Sequence, residues 1–441
     1  MIISKLTSIK GELAWVLAGQ GFALFGSLVG VKLLTNVMSQ AAYGQLALGI
    51  SIAGLMNMFL FGPLGQIILR YYSVSGERGE HAAYSMLLRE LHGQLVLVVA
   101  VIGCVVVMIM QLTIGIEWAY LTAIAIFFGV VSGLLGSLQA LFSAARERKL
   151  AALSQSADVW LRFLLAFLLV FMVNRNGFWA LAGYSLGSLL VLLFQLRYMH
   201  DIMPYIKNGK SVGAEAFTRY RSEFWRYGTP FVAFAGFAVI SQYADRWLLQ
   251  GLAGAEQVGI YAVLYQIASA PITLLSGVVN QLVIPVVFTR AGALTHKSQI
   301  EHSRHLLKVV QLIMAVAFGV AVLIAAFWGK PLIVWITNES YGLHADILWL
   351  LVFGLAMFHL AQFMAAEGLS RNNSKLYFLP KLAQCLTLVI AGVFLTVTYG
   401  IWGMAVAFVI SSFIHLFLIT LLNAQVRNNT VKPAIQDLTG S

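Results

Sequence analysis

Charge is what this sequence has least of. Only 10% of its 441 residues are Asp, Glu, Lys or Arg, and 60% are hydrophobic. Soluble domains carry about a quarter charged residues. A deficit spread over the whole length excludes a soluble protein with one anchor and points to a chain that crosses a membrane many times. Cysteine is almost absent. Cys104 and Cys385 both sit in apolar runs, make no metal-ligand spacing and imply no disulfide, so they read as small apolar fillers. Catalytic signatures are missing too: there is no H-E-x-x-H, no G-x-S-x-G and no clustered Cys/His set. The "NGKS" of Asn208–Ser211 has Pro204 where a phosphate-binding loop needs its first glycine. The apolar run after Lys10 exceeds the ~7–15 residues of a signal-peptide core, so a cleavable leader is not expected. Nothing here suggests an enzyme, a cofactor or a metal.

What the sequence does hold is apolar length. A bilayer core takes about 20 apolar residues per helix. Twelve runs qualify: 11–37, 43–69, 91–111, 116–143, 150–173, 177–196, 224–251, 258–288, 306–327, 345–369, 376–399 and 401–423. With the N-terminus in the cytoplasm, twenty-three of the 28 Lys and Arg residues fall in inner segments and only Arg175 and Lys330 in outer ones. Lys381 is counted among the inner anchors. That asymmetry is the positive-inside signature, with both termini cytoplasmic. It also accounts for the formal charge of +11: the bases face anionic membrane lipids rather than nucleic acid.

The sequence repeats itself at a shift of 215 residues. "LLTNVMSQAAYGQLALGISIAG" from Leu33 aligns without a gap on "LLQGLAGAEQVGIYAVLYQIAS" from Leu248. Nine of 34 positions are identical over 33–66, Gly44/Gly259 and Gly62/Gly277 among them. The shift superposes the first run on the seventh. Six runs separate the copies, so both share one orientation. The expected fold is an all-α polytopic membrane protein with twelve transmembrane helices in two pseudo-symmetric six-helix lobes around a central cavity. The lobes are expected at 1–222, ending in a basic cytoplasmic linker at about 197–222, and at 223–441. Gly26-x-x-x-Gly30, Gly129-x-x-x-Gly133 and Gly183-x-x-x-Gly187 predict close helix packing. Pro63 and Pro271 sit inside runs and permit bends.

A few charges remain inside the runs, where each costs a few kcal/mol unless it meets water or a partner. Lys32, Arg162 and Arg246 are the cations. Asp158 stands four residues before Arg162, the spacing of a same-face ion pair. Asp245 precedes Arg246 directly, and adjacent helical residues point about 100° apart, so mutual neutralisation is not expected. The repeat sets Lys32 beside Arg246, which suggests a two-sided cationic clamp. His359 and Glu367 lie in the tenth run. A cavity walled by three cations suits an anion, phosphate or pyrophosphate above all. Asp158, Asp245, Glu367 and His359 are candidates for coupling to H⁺ or Na⁺.

Three stretches carry a family resemblance: "KLLTNVMSQAAYGQLALGISIAGLM" from Lys32, "FGPLGQIILRYYS" from Phe61 and "ADRWLLQGLAGAEQVGIYAVLYQIAS" from Ala244. The chain resembles the polysaccharide-flippase (Wzx-type) branch of the MOP exporter superfamily over essentially its full length. The resemblance implies a flippase in the bacterial inner membrane. Its substrate would be an undecaprenyl-pyrophosphate-linked oligosaccharide, an O-antigen or exopolysaccharide repeat unit, moved by ion-coupled alternating access. It implies that Lys32, Arg162 and Arg246 hold the pyrophosphate and that Arg70, at the inner mouth, meets it first. Polysaccharide polymerase and glycosyltransferases are the implied protein neighbours. The alternative is a MATE-like cation-coupled drug exporter, for which a net acidic interior is expected instead.

Overall fold

A chain this apolar must satisfy its backbone polar groups internally, and helix does so within each segment. The computed structural model describes residues 2–202, 214–291, 297–369 and 374–436, and every regular element among them is helical. The helices are α1 (Ile2–Val37), α2 (Gln40–Glu77), α3 (His81–Thr113), α4 (Ile116–Ala144), α5 (Arg148–Met172) and α6 (Gly177–Ile202). They continue with α7 (Ala214–Ala253), α8 (Ala255–Ala291), α9 (Lys297–Ile336), α10 (Leu348–Leu369), α11 (378–399) and α12 (401–436). Gly400, at φ 56° and ψ −133°, separates the last two in a conformation that suits glycine. The Asn208–Ser211 stretch of the basic linker lies outside the described residues.

Ten of the described helical stretches are long and apolar enough to cross a membrane, with α11 and α12 counted through Gly400 as one. The protein is a multi-pass membrane protein. α7, which contains the expected run 224–251, is not among the ten. Tyr227, Pro230, Gln242, Tyr243, Asp245 and Arg246 dilute its apolar character.

The chain divides into two compact units, Met1–Arg246 and Trp247–Ser441. In the first, α1 packs on α5, α5 on α6, α6 on α4, and α2 and α3 both on α4. Small residues set these contacts. A Cβ on Gly183 would lie 2.3 Å from the Ala166 backbone, and one on Gly30 would enter the Phe163 ring at 2.0 Å. Gly133 gives the same room to Phe61, and Gly26 to Trp160. All three glycine pairs of the sequence are packing faces. In the second unit α10 packs against α8, α9 and the α11–α12 segment.

Two local features follow from sequence. Between Gln40–Met56 and Gly62–Glu77, α2 widens into a π-helical turn at Asn57–Phe61. Pro63 has no N–H to give and its ring crowds the preceding turn, so the ladder must shift before it. The Gly62 N–H reaches back five residues to the Asn57 carbonyl. Second, the first turns of α7 are held by an aromatic plug. Tyr220 and Phe224 are fully buried, with Tyr71 4.9 Å and Tyr84 6.1 Å from the Phe224 ring. The Arg78 and Arg219 guanidinium groups lie over Tyr220 at 5.6 and 5.7 Å. Arg78 pairs with Glu223 at 3.2 Å, and Arg219 pairs with Glu80. The Arg219 hydrogen bonds hold the Glu80 carboxyl below the usual carboxylate range.

The helix starts also obey the repeat. α2 begins at Gln40 and α8 at Ala255, which are 215 positions apart. Ser39 caps α2 by accepting the Ala42 N–H at 3.2 Å. Its counterpart Gly254 has no side-chain cap to offer and turns instead through a positive φ of 87°.

Candidate functional site

Most of the charges singled out in the sequence gather inside the first unit, and their positions follow from the glycines. A Cβ on Gly187 would lie 2.6 Å from the Arg162 amide nitrogen, so α6 rests its backbone directly on α5. That approach sets Ser188 against the i,i+4 pair. Arg162 Nη2 lies 2.6 Å from Asp158 Oδ2. The Ser188 hydroxyl donates to Asp158 Oδ1 at 2.7 Å and accepts from Arg162 Nε at 2.6 Å. Phe128 of α4 closes the arginine's face, 5.0 Å from Cζ to ring centroid. Asp158 is buried and Arg162 keeps partial access, with 23% of its side chain exposed. The result is a neutral, hydrogen-bonded triad.

The pair at the end of α7 behaves differently from expectation. Asp245 and Arg246 point apart at Cβ, yet they are joined. The long arginine side chain folds back along its own helix, where Nη1 donates to the Gln242 carbonyl at 2.6 Å and to Asp245 Oδ1 at 3.2 Å. The same carboxylate oxygen accepts the Arg246 N–H at 2.8 Å. Asp245 is buried and only 12% of the Arg246 side chain is exposed. The Tyr243 ring sits 5.6 Å from the guanidinium and occupies the gap left by Gly54 of α2, where a Cβ would lie 2.1 Å from the tyrosine oxygen.

Two buried tyrosines lie near these pairs. Tyr43 of α2 lies within electrostatic reach of Arg246, and Tyr184 of α6 within reach of Tyr43, Arg162 and Asp158. Phe163 and Phe128 pack on Tyr184 at 5.2 and 5.9 Å. Sequence reasoning missed Tyr43, Tyr184 and Ser188, because neutral polar residues leave no mark in an apolar run.

The other predicted residues lie apart from this group. Lys32 is half-buried on α1, where its carbonyl accepts from the Thr35 hydroxyl at 3.3 Å. Arg70 is exposed toward the C-terminal end of α2. Glu367 and His359 belong to the second unit, Glu367 buried and His359 half-buried on α10. There the structure corrects the reading of Lys381 as a loop anchor. Its side chain turns inward, with Nζ 4.5 Å from the Phe358 ring centroid. Phe358 stacks on buried His415 of α12 at 5.9 Å and meets His359 edge-on at 5.6 Å. Among the described residues no group of three or more His, Cys, Asp or Glu side chains forms a metal site.

No curated protein matches the chain in sequence. Solved structures match it in fold. "Lipid II flippase MurJ, inward closed conformation" superposes with TM-score 0.69 at 14% identity, over 92% of this chain and 86% of that one. An inward-facing multidrug resistance MATE family transporter of the MOP superfamily gives 0.65 at 12% identity, over 93% and 96%. A MOP superfamily transporter from Pyrococcus furiosus, described as having a binding pocket of reverse polarity, gives 0.62 at 12% identity, over 94% and 96%. At these identities the likeness is one of fold, the helical fold shared by MurJ and the MATE transporters. The sequence profile of polysaccharide biosynthesis proteins matches residues 11–291, well over half of the chain. The chain therefore belongs to the polysaccharide biosynthesis protein family, built on the MOP-superfamily fold.

Proposed function

We propose that the protein is a flippase for an undecaprenyl-pyrophosphate-linked oligosaccharide, acting in the bacterial plasma membrane by ion-coupled alternating access. Its twelve crossings would form two six-helix lobes with both termini cytoplasmic. Membership of a polysaccharide biosynthesis family supports the substrate class. A fold like that of a lipid II flippase supports lipid-linked cargo.

The observation that carries the mechanism is that Arg162 and Arg246 are each held by a buried carboxylate, Asp158 and Asp245. A pyrophosphate competes with a carboxylate for the same guanidinium fork. A proton or sodium ion arriving at Asp158 or Asp245 neutralises that carboxylate and releases the arginine to the substrate. Loss of the ion returns the arginine to its partner and expels the pyrophosphate. Arg70 meets the substrate at the inner mouth, Lys32 adds charge on α1, and Glu367 and His359 serve coupling in the second unit.

Drug export is the competing reading. The intramembrane cations Lys32, Arg162, Arg246 and Lys381 are not outnumbered by Asp158, Asp245 and Glu367, which favours anionic cargo. The test is reconstitution in vesicles with a lipid-pyrophosphate sugar, with leaflet transfer measured with and without proton and sodium gradients. Transfer above empty vesicles is expected. None by correctly folded protein, with efflux of a cationic dye instead, overturns the proposal.

A further inference from the structure

The buried carboxylates Asp158 and Asp245 of the first unit each pair with an arginine, whereas Lys381 of the second unit is in no such pair among the described residues. Its Nζ lies 4.5 Å from the Phe358 ring centroid, and the His359 and His415 imidazoles pack on that ring. An intramembrane cation without a carboxylate is costly and marks a functional site by default.

Two neighbouring polar atoms are also unused. The His415 Nδ1 lies 3.3 Å from the Pro380 carbonyl, and a carbonyl can only accept, so Nδ1 carries the hydrogen. In the neutral ring Nε2 is then a bare acceptor, buried and without a partner. One turn earlier on the same face of α12, the fully buried Ser412 hydroxyl also has no partner. Buried polar atoms are rarely left unsatisfied, and the His415 ring stacks on the same Phe358 that faces the Lys381 ammonium.

We infer that Lys381, His415 and Ser412 form a binding site in the second unit for a phosphoryl anion that carries a hydrogen. The ammonium supplies the charge complement. The serine donates to a phosphoryl oxygen. The Nε2 lone pair asks for an O–H from the ligand, which hydrogen phosphate or hydrogen pyrophosphate provides and sulfate does not. Phe358 keeps the ammonium in place from its other side. The site stands on its own geometry; the proposed cargo's diphosphate, esterified on both phosphorus atoms, carries no hydrogen near neutral pH, so the ligand is free hydrogen phosphate or a diphosphate with one unesterified end.

Purified full-length protein in detergent would be titrated with inorganic phosphate, pyrophosphate and sulfate near neutral pH, with binding read by calorimetry. Phosphate and pyrophosphate are expected to bind, and sulfate at least about tenfold more weakly, the scale of one charge-assisted hydrogen bond. Lys381→Met keeps the side-chain volume and removes the charge, and Ser412→Ala removes one hydroxyl. Each is expected to weaken phosphate binding about tenfold or more, with Lys381→Arg restoring most of it. Unchanged binding by folded Lys381→Met and Ser412→Ala overturns the site. Equal affinity for sulfate and phosphate overturns the hydrogen-donor requirement. Pyrophosphate binding together with failed lipid-linked sugar transfer would leave this site standing and remove the flippase reading. Transfer by the intact protein without any pyrophosphate affinity at Lys381 would do the reverse.

Discussion

Removing Asp158 should show what the α5 ion pair contributes. At 2.6 Å and an effective dielectric constant near 20, the attraction between Asp158 and Arg162 is about 6 kcal/mol. Both groups lose hydration to make it, so the net value of the pair is far smaller. Asp158→Ala, however, leaves the arginine partly buried with only the Ser188 hydroxyl and the Phe128 ring beside it, and breaking such pairs costs about 3–5 kcal/mol. Adding Arg162→Met removes the stranded charge and replaces its stem with an apolar one. The double variant should return to within about 1 kcal/mol of the parent, because a well-packed apolar pair often equals a buried ionic one. The assay is reversible unfolding in bicelles on the four proteins of the cycle, alongside sugar-lipid transfer in vesicles. Expected is a large loss for Asp158→Ala, recovery in the double variant, and no transfer by the double variant despite its stability. A single variant within about 1 kcal/mol of the parent would mean that water already solvates the pair and that the burial argument is wrong.

Further tests follow from other contacts. Gly183→Val should abolish accumulation of folded protein, since even a Cβ would lie 2.3 Å from the Ala166 backbone; normal yield and monodispersity would refute the close α5–α6 packing. Arg246→Ala should stop polysaccharide export, and Arg246→Lys should retain part of it, because an ammonium keeps the charge without the fork that reaches both Gln242 and Asp245. Full export by the alanine variant at normal expression removes Arg246 from the substrate site. Between α2 and α3, the Glu80 carboxyl is held low by Arg219. Its contribution is therefore present above the ordinary carboxylate range and lost as pH falls through the depressed value. Hydrogen exchange around residues 78–84 should rise with acid and with salt, and Glu80→Gln should remove most of that acid response.

How much could be read in advance varied with the kind of signal. Helix positions were legible because apolar length in a membrane is nearly sufficient to define them. The observed starts at Gln40, Ile116, Gly177 and Ala255 fall within three residues of the expected ones, whereas those at His81, Ala214 and Lys297 come nine or ten residues earlier, where polar turns extend the helix beyond its apolar run. The glycine pairs and the Asp158–Arg162 spacing were legible because helical periodicity fixes a face. The fold-back of Arg246 was not, since Cβ direction says little about a side chain with four rotatable bonds. Lys381 was misread for a related reason. It stands at the edge of an apolar run, where a loop anchor and an inward-turned cation look alike, and only the partners contributed by α10 and α12 distinguish them. The polar groups Ser188, Tyr43, Tyr184 and Ser412 left no trace, because a hydroxyl inside an apolar run is defined by what packs against it.

The helix α7 has a consequence for anyone who would cut this protein in two. Its residues up to Arg246 count with the first compact unit and those from Trp247 with the second, so the boundary falls inside one unbroken rod. A split gene joined at 246/247 would give both fragments raw helix ends, each with four unsatisfied backbone groups, in an apolar stretch. A split within 203–213 would keep the rod whole but give the second fragment Tyr220 and Phe224, the plug on which α2 and α3 of the first are packed. Neither cut yields self-sufficient halves. If two half-length ancestors were ever fused to make the 215-residue repeat, this helix was either already lent from one to the other or became shared afterwards. Co-expressed fragments should accordingly be soluble in detergent only together.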